Sequence, residues 1–144
     1  MSRTPAYADL AQLRGRAMWS FQKKDLPLAN EQADAAMAMF AVLPTDHPKW
    51  LDACEGLADL MQVAGRFAEC DRLCQLALAA SEPNGPDRGD LEAFYANFLF
   101  AQGRLDEAET HAIAAIRAPV DEVGFVQKVL REIRAARAAR PRHD

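Results

Sequence analysis

The chain has 144 residues, of which half are hydrophobic, and its formal net charge at neutral pH is −4. This size fits one domain with a core of its own, and the mild negative charge argues against a protein dedicated to nucleic acid. No apolar run approaches the roughly 20 residues that a membrane helix needs, and no signal-peptide core opens the chain. The three cysteines form no disulfide framework, which is typical of a reducing compartment. We therefore expect a cytoplasmic protein.

The spacing of apolar residues predicts seven helices and no strand. Asp25 is expected to be the N-cap of the second helix, with Pro27 in its first turn. Pro44 ends that helix, and Pro48 suits the first turn of the next one. The predicted helices span residues 7–23, 25–43, 48–64, 67–81, 88–102, 105–117 and about 120–140.

Two pairs of helices are separated only by a Gly-Arg joint, Gly65-Arg66 in one pair and Gly103-Arg104 in the other. So short a joint forces the two helices to lie antiparallel, as an αα-hairpin. When the two glycines are aligned, every aligned core pair is apolar, and a hairpin repeated at a fixed offset is typical of a helical solenoid. These pairs are Leu57 with Tyr95, Ala58 with Ala96, Met61 with Leu99, Phe67 with Leu105, Cys70 with Ala108, Cys74 with Ala112, Ala77 with Ala115 and Leu78 with Ile116.

The repeat resembles the tetratricopeptide repeat (TPR). The third unit matches that motif at Ala96, Leu99, Gly103, Leu105, Ala108, Ala115 and Ile116. The second unit matches at Leu57, Ala58, Met61, Gly65, Phe67, Ala77 and Leu78, with Cys70 in place of the first helix-B alanine. The first unit fits at Ala17, Leu26, Ala29 and Ala36, but Lys24 stands where the turn glycine is expected. The longer loop at 83–87 is similar to that of the kinesin-light-chain type of repeat.

The resemblance implies an all-α fold, a right-handed αα-hairpin solenoid in a single domain over residues 1–144. Repeat 1 spans about 7–43, repeat 2 about 48–81 and repeat 3 about 88–118. The last predicted helix has no partner, and an unpaired amphipathic helix after stacked hairpins indicates a cap over the last repeat. Its apolar stripe consists of Val123, Val126, Val129, Leu130 and Ile133.

The resemblance also implies a peptide-binding groove lined by the first helix of each repeat. The implied groove residues are Arg14, Met18 and Phe21 in repeat 1, Asp52, Glu55, Asp59 and Gln62 in repeat 2, and Asp90, Phe94, Asn97 and Ala101 in repeat 3. Only Arg14 and Asn97 suit a clamp for a C-terminal carboxylate. The acidic middle instead favours a basic or amphipathic protein or peptide partner, with the aromatic residues as anchors. The alternative is a solvated helix face that happens to be acidic.

The C-terminal segment carries the sharpest charge feature, because residues 125–144 hold six Lys/Arg against two Asp/Glu, while residues 1–124 hold eleven against nineteen. Arg131, Arg134, Arg137 and Arg140 follow one another at three-residue spacing. They predict either a solvated helix end or a surface for an anionic partner, which includes docking onto the acidic groove of another copy. Nucleic acid is disfavoured as a partner, since no aromatic residue follows Phe125.

No catalytic motif, cofactor motif or metal-ligand spacing occurs, so an enzyme is not expected. Asp106, Glu107 and Glu109 lie where they complement a helix dipole, and Cys70 and Cys74 occupy small core positions of the repeat. The predicted function is a protein–protein interaction scaffold or adaptor, chaperone-like in holding a segment of its partner. The alternative is a structural module that self-assembles, as a homo-oligomer, through repeat edges or the Arg-rich helix.

Overall fold

The computed structural model describes residues 6–118 and 123–140, and all regular structure within these ranges is helical. The helices are α1 (Tyr7–Gln22), α2 (Leu26–Ala41), α3 (Trp50–Val63), α4 (Phe67–Ala80), α5 (Arg88–Ala101), α6 (Leu105–Arg117) and α7 (Val123–Ala139). α3 begins two residues later than predicted, and residues 120–122 of the predicted last helix lie outside the described residues. Within the described ranges, no helix has both the length and the apolar composition that crossing a membrane requires.

The chain divides into two compact units, Met1–Ala79 and Ala80–Asp144. The first contains α1 to α3 and all of α4 except its last residue. The second contains α5 to α7.

The same turn ends the first helix of each hairpin, at Lys24, Gly65 and Gly103, which have φ angles of 62°, 73° and 76°. In each case the amide of the turn residue donates to the carbonyl three residues back, at 3.0 to 3.1 Å, and the next amide donates to the carbonyl five residues back, at 2.8 to 3.0 Å. This is the Schellman motif, which requires the left-handed conformation that glycine adopts most easily. Lys24 therefore occupies the turn-glycine position of repeat 1.

In the first unit, α1 packs against α2 and α3, and α2 also contacts α3. The α1–α2 contact is close because its core consists of alanines: Ala17, Ala29, Ala33 and Ala36 are all fully buried. As predicted, Asp25 caps α2 by accepting from the Leu28 amide at 3.4 Å. The loop to α3 is tied back by the Tyr7 hydroxyl, which donates to the Pro44 carbonyl.

α4 is attached to α3 through a buried thiol and to α2 through the arginine that precedes it. The Cys54 thiol donates to the Leu73 carbonyl at 3.2 Å. Cys70 and Cys74 are buried, as their assignment to the core predicts. Arg66 lies 2.7 Å from Asp34 on α2 and binds both oxygens of Glu69.

In the second unit, α5 packs against α6, and α6 packs against α7. Alanines again allow the close approach, since Ala108, Ala112 and Ala115 on α6 are fully buried. The apolar stripe of α7 is buried from Val126 to Ile133. Val123 was wrongly included in that stripe, because it lies at the first position of the helix and is 43% exposed.

Candidate functional site

The candidate site in the first unit is the face that α1 and α3 present together. Arg14, Met18 and Phe21 follow at i, i+4 and i+7 along α1, and all three are half-buried. Four polar residues at i, i+3, i+7 and i+10 run along one side of α3. These are Asp52, which is exposed, and Glu55, Asp59 and Gln62, which are half-buried.

Arg14 crosses from α1 to the backbone of α3. A Cβ atom placed on Gly56 would lie 3.0 Å from the Arg14 Nε and 3.1 Å from its Cζ, so the guanidinium group occupies the space that a side chain would need. Gly56 lies one turn after Asp52, with which Arg14 lines a cavity, so the arginine lies on the acidic side of α3. The sequence analysis missed Gly56, although a glycine in the middle of a helix is a signal of close approach.

A cavity of about 240 Å³ lies at the start of this face. Its walls are mostly apolar, and charged groups stand around it. The lining residues are Tyr7, Ala8, Leu10, Ala11, Arg14, Lys49, Asp52 and Ala53. Arg14 and Asp52, two of the predicted groove residues, thus line one cavity, while Tyr7 and Lys49 were not predicted.

The remaining predicted groove residues belong to the second unit. On α5, Asp90 and Phe94 are half-buried, and Asn97 and Ala101 are exposed. Their spacing places them along one side of that helix. Their membership of the same binding groove stays a prediction.

A buried carboxylate that the sequence analysis did not identify lies on the other side of α5 from Phe94, two residues before it. Glu92 has only 5% of its side chain exposed, accepts from Arg88 Nε at 3.0 Å and contacts Nδ1 of His111. Burial acts to raise the pKa of Glu92, but the hydrogen bonds and positive charges of His111 and Arg88 together lower it below its usual value. Tyr95 packs against the His111 ring at 4.7 Å between centroids. The cluster ties α5 to α6, and its carboxylate is fully engaged within the protein.

The C-terminal arginines fall into two groups. Arg137 binds Glu109 and lies 3.0 Å from Asp106, which Arg140 approaches at 3.4 Å. The bond with Glu109 is the main reason that the pKa of Arg137 is raised. Arg131 and Arg134 are exposed.

The predicted four-arginine surface is therefore divided. The antiparallel packing of α7 on α6 brings its C-terminal end to the first turn of α6. The carboxylates there, which were interpreted only through the helix dipole, also bind these arginines.

Two of the three cysteines, Cys54 and Cys74, have raised pKa values. Burial, and then the charge of Glu55, raise the pKa of Cys54 to about 12. A hydrogen bond with Cys70 and burial raise the pKa of Cys74. Residues 6–118 and 123–140 contain no group of three or more His, Cys, Asp or Glu side chains placed to hold a metal ion.

No family model matches the chain, and no curated protein matches it in sequence. Among solved structures, it is similar to a crystal structure of nearly identical TPR-like repeats of the kinesin-light-chain type from Podosopora anserina, with 19% sequence identity and a TM-score of 0.63. The match covers 99% of this chain and 80% of that one. It confirms the predicted all-α, TPR-like repeat fold. By its fold, the chain is therefore a TPR-like helical-repeat protein.

Proposed function

We propose that the protein is a non-enzymatic scaffold, an adaptor or chaperone-like protein, that holds a basic or amphipathic segment of a partner protein on its α1–α3 face. The observation that carries the proposal is the cavity between these helices, which Arg14 and Asp52 line together, beside a row of carboxylates on α3. A TPR-like fold supports it, because the concave face of such repeats is their usual binding surface.

The cavity and the carboxylates have different roles in this proposal. Filling an apolar cavity with a Val or Leu side chain contributes about 1.5 to 3 kcal/mol. Ion pairs at half-exposed carboxylates contribute about 0.2 to 1 kcal/mol each, and they act mainly on association rate and selectivity. We therefore expect an aliphatic anchor to supply most of the affinity and Glu55 and Asp59 to select for a basic neighbour.

The order of charges along the face also defines a direction for the bound segment. Arg14 and Lys49 line the cavity, the Arg14 guanidinium group reaches Gly56 at the level of Glu55, and Asp59 follows one turn further along α3. The preferred segment carries its aliphatic anchor first and its Lys or Arg residues one to two turns away. A peptide with the reversed order that bound in the same chain direction would place its basic residues against Arg14 and Lys49.

The test is a fluorescence-anisotropy screen of basic amphipathic peptides in both orders, with wild type and with a Glu55→Lys plus Asp59→Lys variant. The variant should bind about tenfold more weakly at low salt, and the difference should shrink as salt is added. The control, Glu31→Lys plus Glu82→Lys, changes the net charge equally at two exposed positions outside the face. If the control weakens binding as much, net charge alone explains the effect and the proposed site is wrong.

Two coarser expectations complete the proposal. Three free, buried cysteines favour a reducing, cytoplasmic location. A C-terminal surface for anionic partners, or for self-docking, is confined to Arg131 and Arg134, since Arg137 and Arg140 already bind carboxylates of α6.

A further inference from the structure

The side of the α1–α2 hairpin formed by Gly15, Arg16, Trp19, Ser20, Leu28 and Gln32, here named the edge face, has no role in the proposed function. These residues line an open cavity of about 520 Å³ within the first unit. Trp19 is 60% exposed and Leu28 is 42% exposed. A large aromatic side chain left this accessible beside a second apolar residue is a common feature of protein interaction sites.

The repeat itself provides a reference for Trp19. Trp19, Leu60 and Phe98 each lie five residues before the left-handed turn residue of their hairpin, so they occupy equivalent positions in the three repeats. Those two side chains are 0% and 1% exposed. All three repeats thus have a large apolar residue at this position, but it is exposed only in repeat 1 and buried in the other two.

Gly15 provides an independent observation. It lies in the interior of α1, where glycine destabilises a helix relative to alanine. A Cβ atom at this position would meet nothing within 4 Å, so no contact inside the protein requires the glycine. One turn from Trp19, it leaves room for the backbone of another helix to approach α1 closely.

The charges of the edge face define what can cover it. The residues that line its cavity include no carboxylate, while Arg16 is exposed there and Lys23 lies with its Nζ 4.5 Å from the centre of the Trp19 ring. Ser20 and Gln32 are hydrogen-bonded to each other at 2.6 Å across the floor. An occupant must therefore combine an apolar stripe for Trp19 and Leu28 with acidic residues at its margin.

Two edge faces are poor partners for each other. Symmetric pairing of two edge faces would bring Arg16 and Lys23 close to their own counterparts. The exposed side of α7 is a poor complement too, because it carries three cations, Lys128, Arg131 and Arg134, and one carboxylate, Glu132, which pairs with Lys128. We propose that the edge face docks an acidic amphipathic helix of another protein, whose apolar stripe covers Trp19 and passes over Gly15.

Trp19 is itself the reporter for the test. The chain has two tryptophans, so a Trp50→Phe background leaves Trp19 as the sole emitter. The probes are two synthetic amphipathic helices of 14 residues, the length of α3, with one Leu/Ala stripe flanked either by Glu or by Lys. We expect a saturable blue shift of Trp19 emission with the Glu probe, at an affinity about tenfold higher than with the Lys probe.

Four variants locate the binding. Arg16→Glu should reverse the preference between the probes. Gly15→Leu should raise or maintain the unfolding temperature, yet reduce affinity for the Glu probe about tenfold or more by filling the approach to α1. Arg131→Glu, and the Glu55→Lys plus Asp59→Lys variant of the α1–α3 face, should bind the Glu probe as well as the background protein does.

Three outcomes would overturn the proposal. The first is the absence of any blue shift with the Glu probe, and the second is equal binding of the two probes. The third is a concentration-dependent dimer in sedimentation velocity that Trp19→Ala abolishes, which would assign the edge face to a second copy. None of these outcomes bears on the α1–α3 face, whose peptides and variants are different.

Discussion

The three hairpin turns allow a quantitative comparison, because glycine and lysine occupy the same left-handed conformation in one protein. The perturbations are Gly65→Ala, Gly103→Ala and the reverse change Lys24→Gly. A Cβ atom at either glycine would meet nothing within 4 Å, so steric clash with the rest of the protein contributes nothing. What remains is the local backbone strain and the entropy of the unfolded chain.

The two remaining contributions oppose each other. A side chain in the left-handed region costs about 1 to 2 kcal/mol, while removing a glycine gains about 0.4 to 1 kcal/mol from the unfolded state. Gly65→Ala and Gly103→Ala should therefore each lower the free energy of unfolding by about 1 kcal/mol. By the same reasoning, Lys24→Gly should raise it by about 0.5 to 1 kcal/mol.

The assay is urea unfolding followed by circular dichroism, with the midpoint expected to move while the slope m stays constant. Lys23→Gly is the matched control for Lys24→Gly, because Lys23 precedes the turn residue and has a right-handed φ of −82°. That control should be destabilising. If Lys24→Gly also destabilises, or if Gly65→Ala is neutral, the left-handed turn is not the conformation that repeat 1 shares with the other two repeats.

Three further predictions concern the second unit, the thiols and the α1–α3 face. The pKa of Glu92 is lowered in the folded protein, so its stabilising contribution is complete above the unfolded-state pKa of about 4.3 and is lost as pH falls through the folded-state pKa. On acidification, the urea midpoint should therefore drop less in Glu92→Gln than in wild type. Cys54, with a pKa of about 12, should resist iodoacetamide at pH 8 in the folded protein and react with it in urea. Mass spectrometry measures the labelling, and labelling of Cys54 in the folded protein would contradict the burial of this thiol. Gly56→Ala should raise the free energy of unfolding by up to about 1 kcal/mol through helix propensity while displacing the flexible Arg14, whereas a loss of stability would mean that Arg14 is held rigidly.

The sequence predicted the helices well because their determinants are local. Apolar periodicity, the Asp25 cap, the prolines and the two glycine turns each act within a few residues. The least regular joint, at Lys24, was still placed correctly, since Leu26 and Ala29 lie at the expected distances after it. The left-handed conformation itself could not be inferred from a lysine, which rarely adopts it.

The candidate site was predictable only in part, because polar groups find partners that are distant in sequence. The acidic row on α3 follows from helical spacing alone. The contact of Arg14 with Gly56, the pairing of Glu92 with His111 and the binding of Arg137 by the first turn of α6 depend on how helices pack. In the last case, a charge cluster that stood out in the sequence proved to be half neutralised by its own unit.

α1 exposes two different sides, each with a separate proposed partner, and this explains why repeat 1 departs furthest from the repeat pattern. α1 buries only Leu10, Ala17 and Ser20. One of its sides carries Arg14, whose guanidinium group rests on α3, and another carries the exposed Trp19 of the edge face. A helix with two solvent-facing sides has few positions left for the apolar residues that define the repeat. The same two sides differ in charge, because the acidic row of α3 adjoins one, while the cavity of the other is lined by Arg16 and no carboxylate. Their preferred partners therefore differ and need not compete.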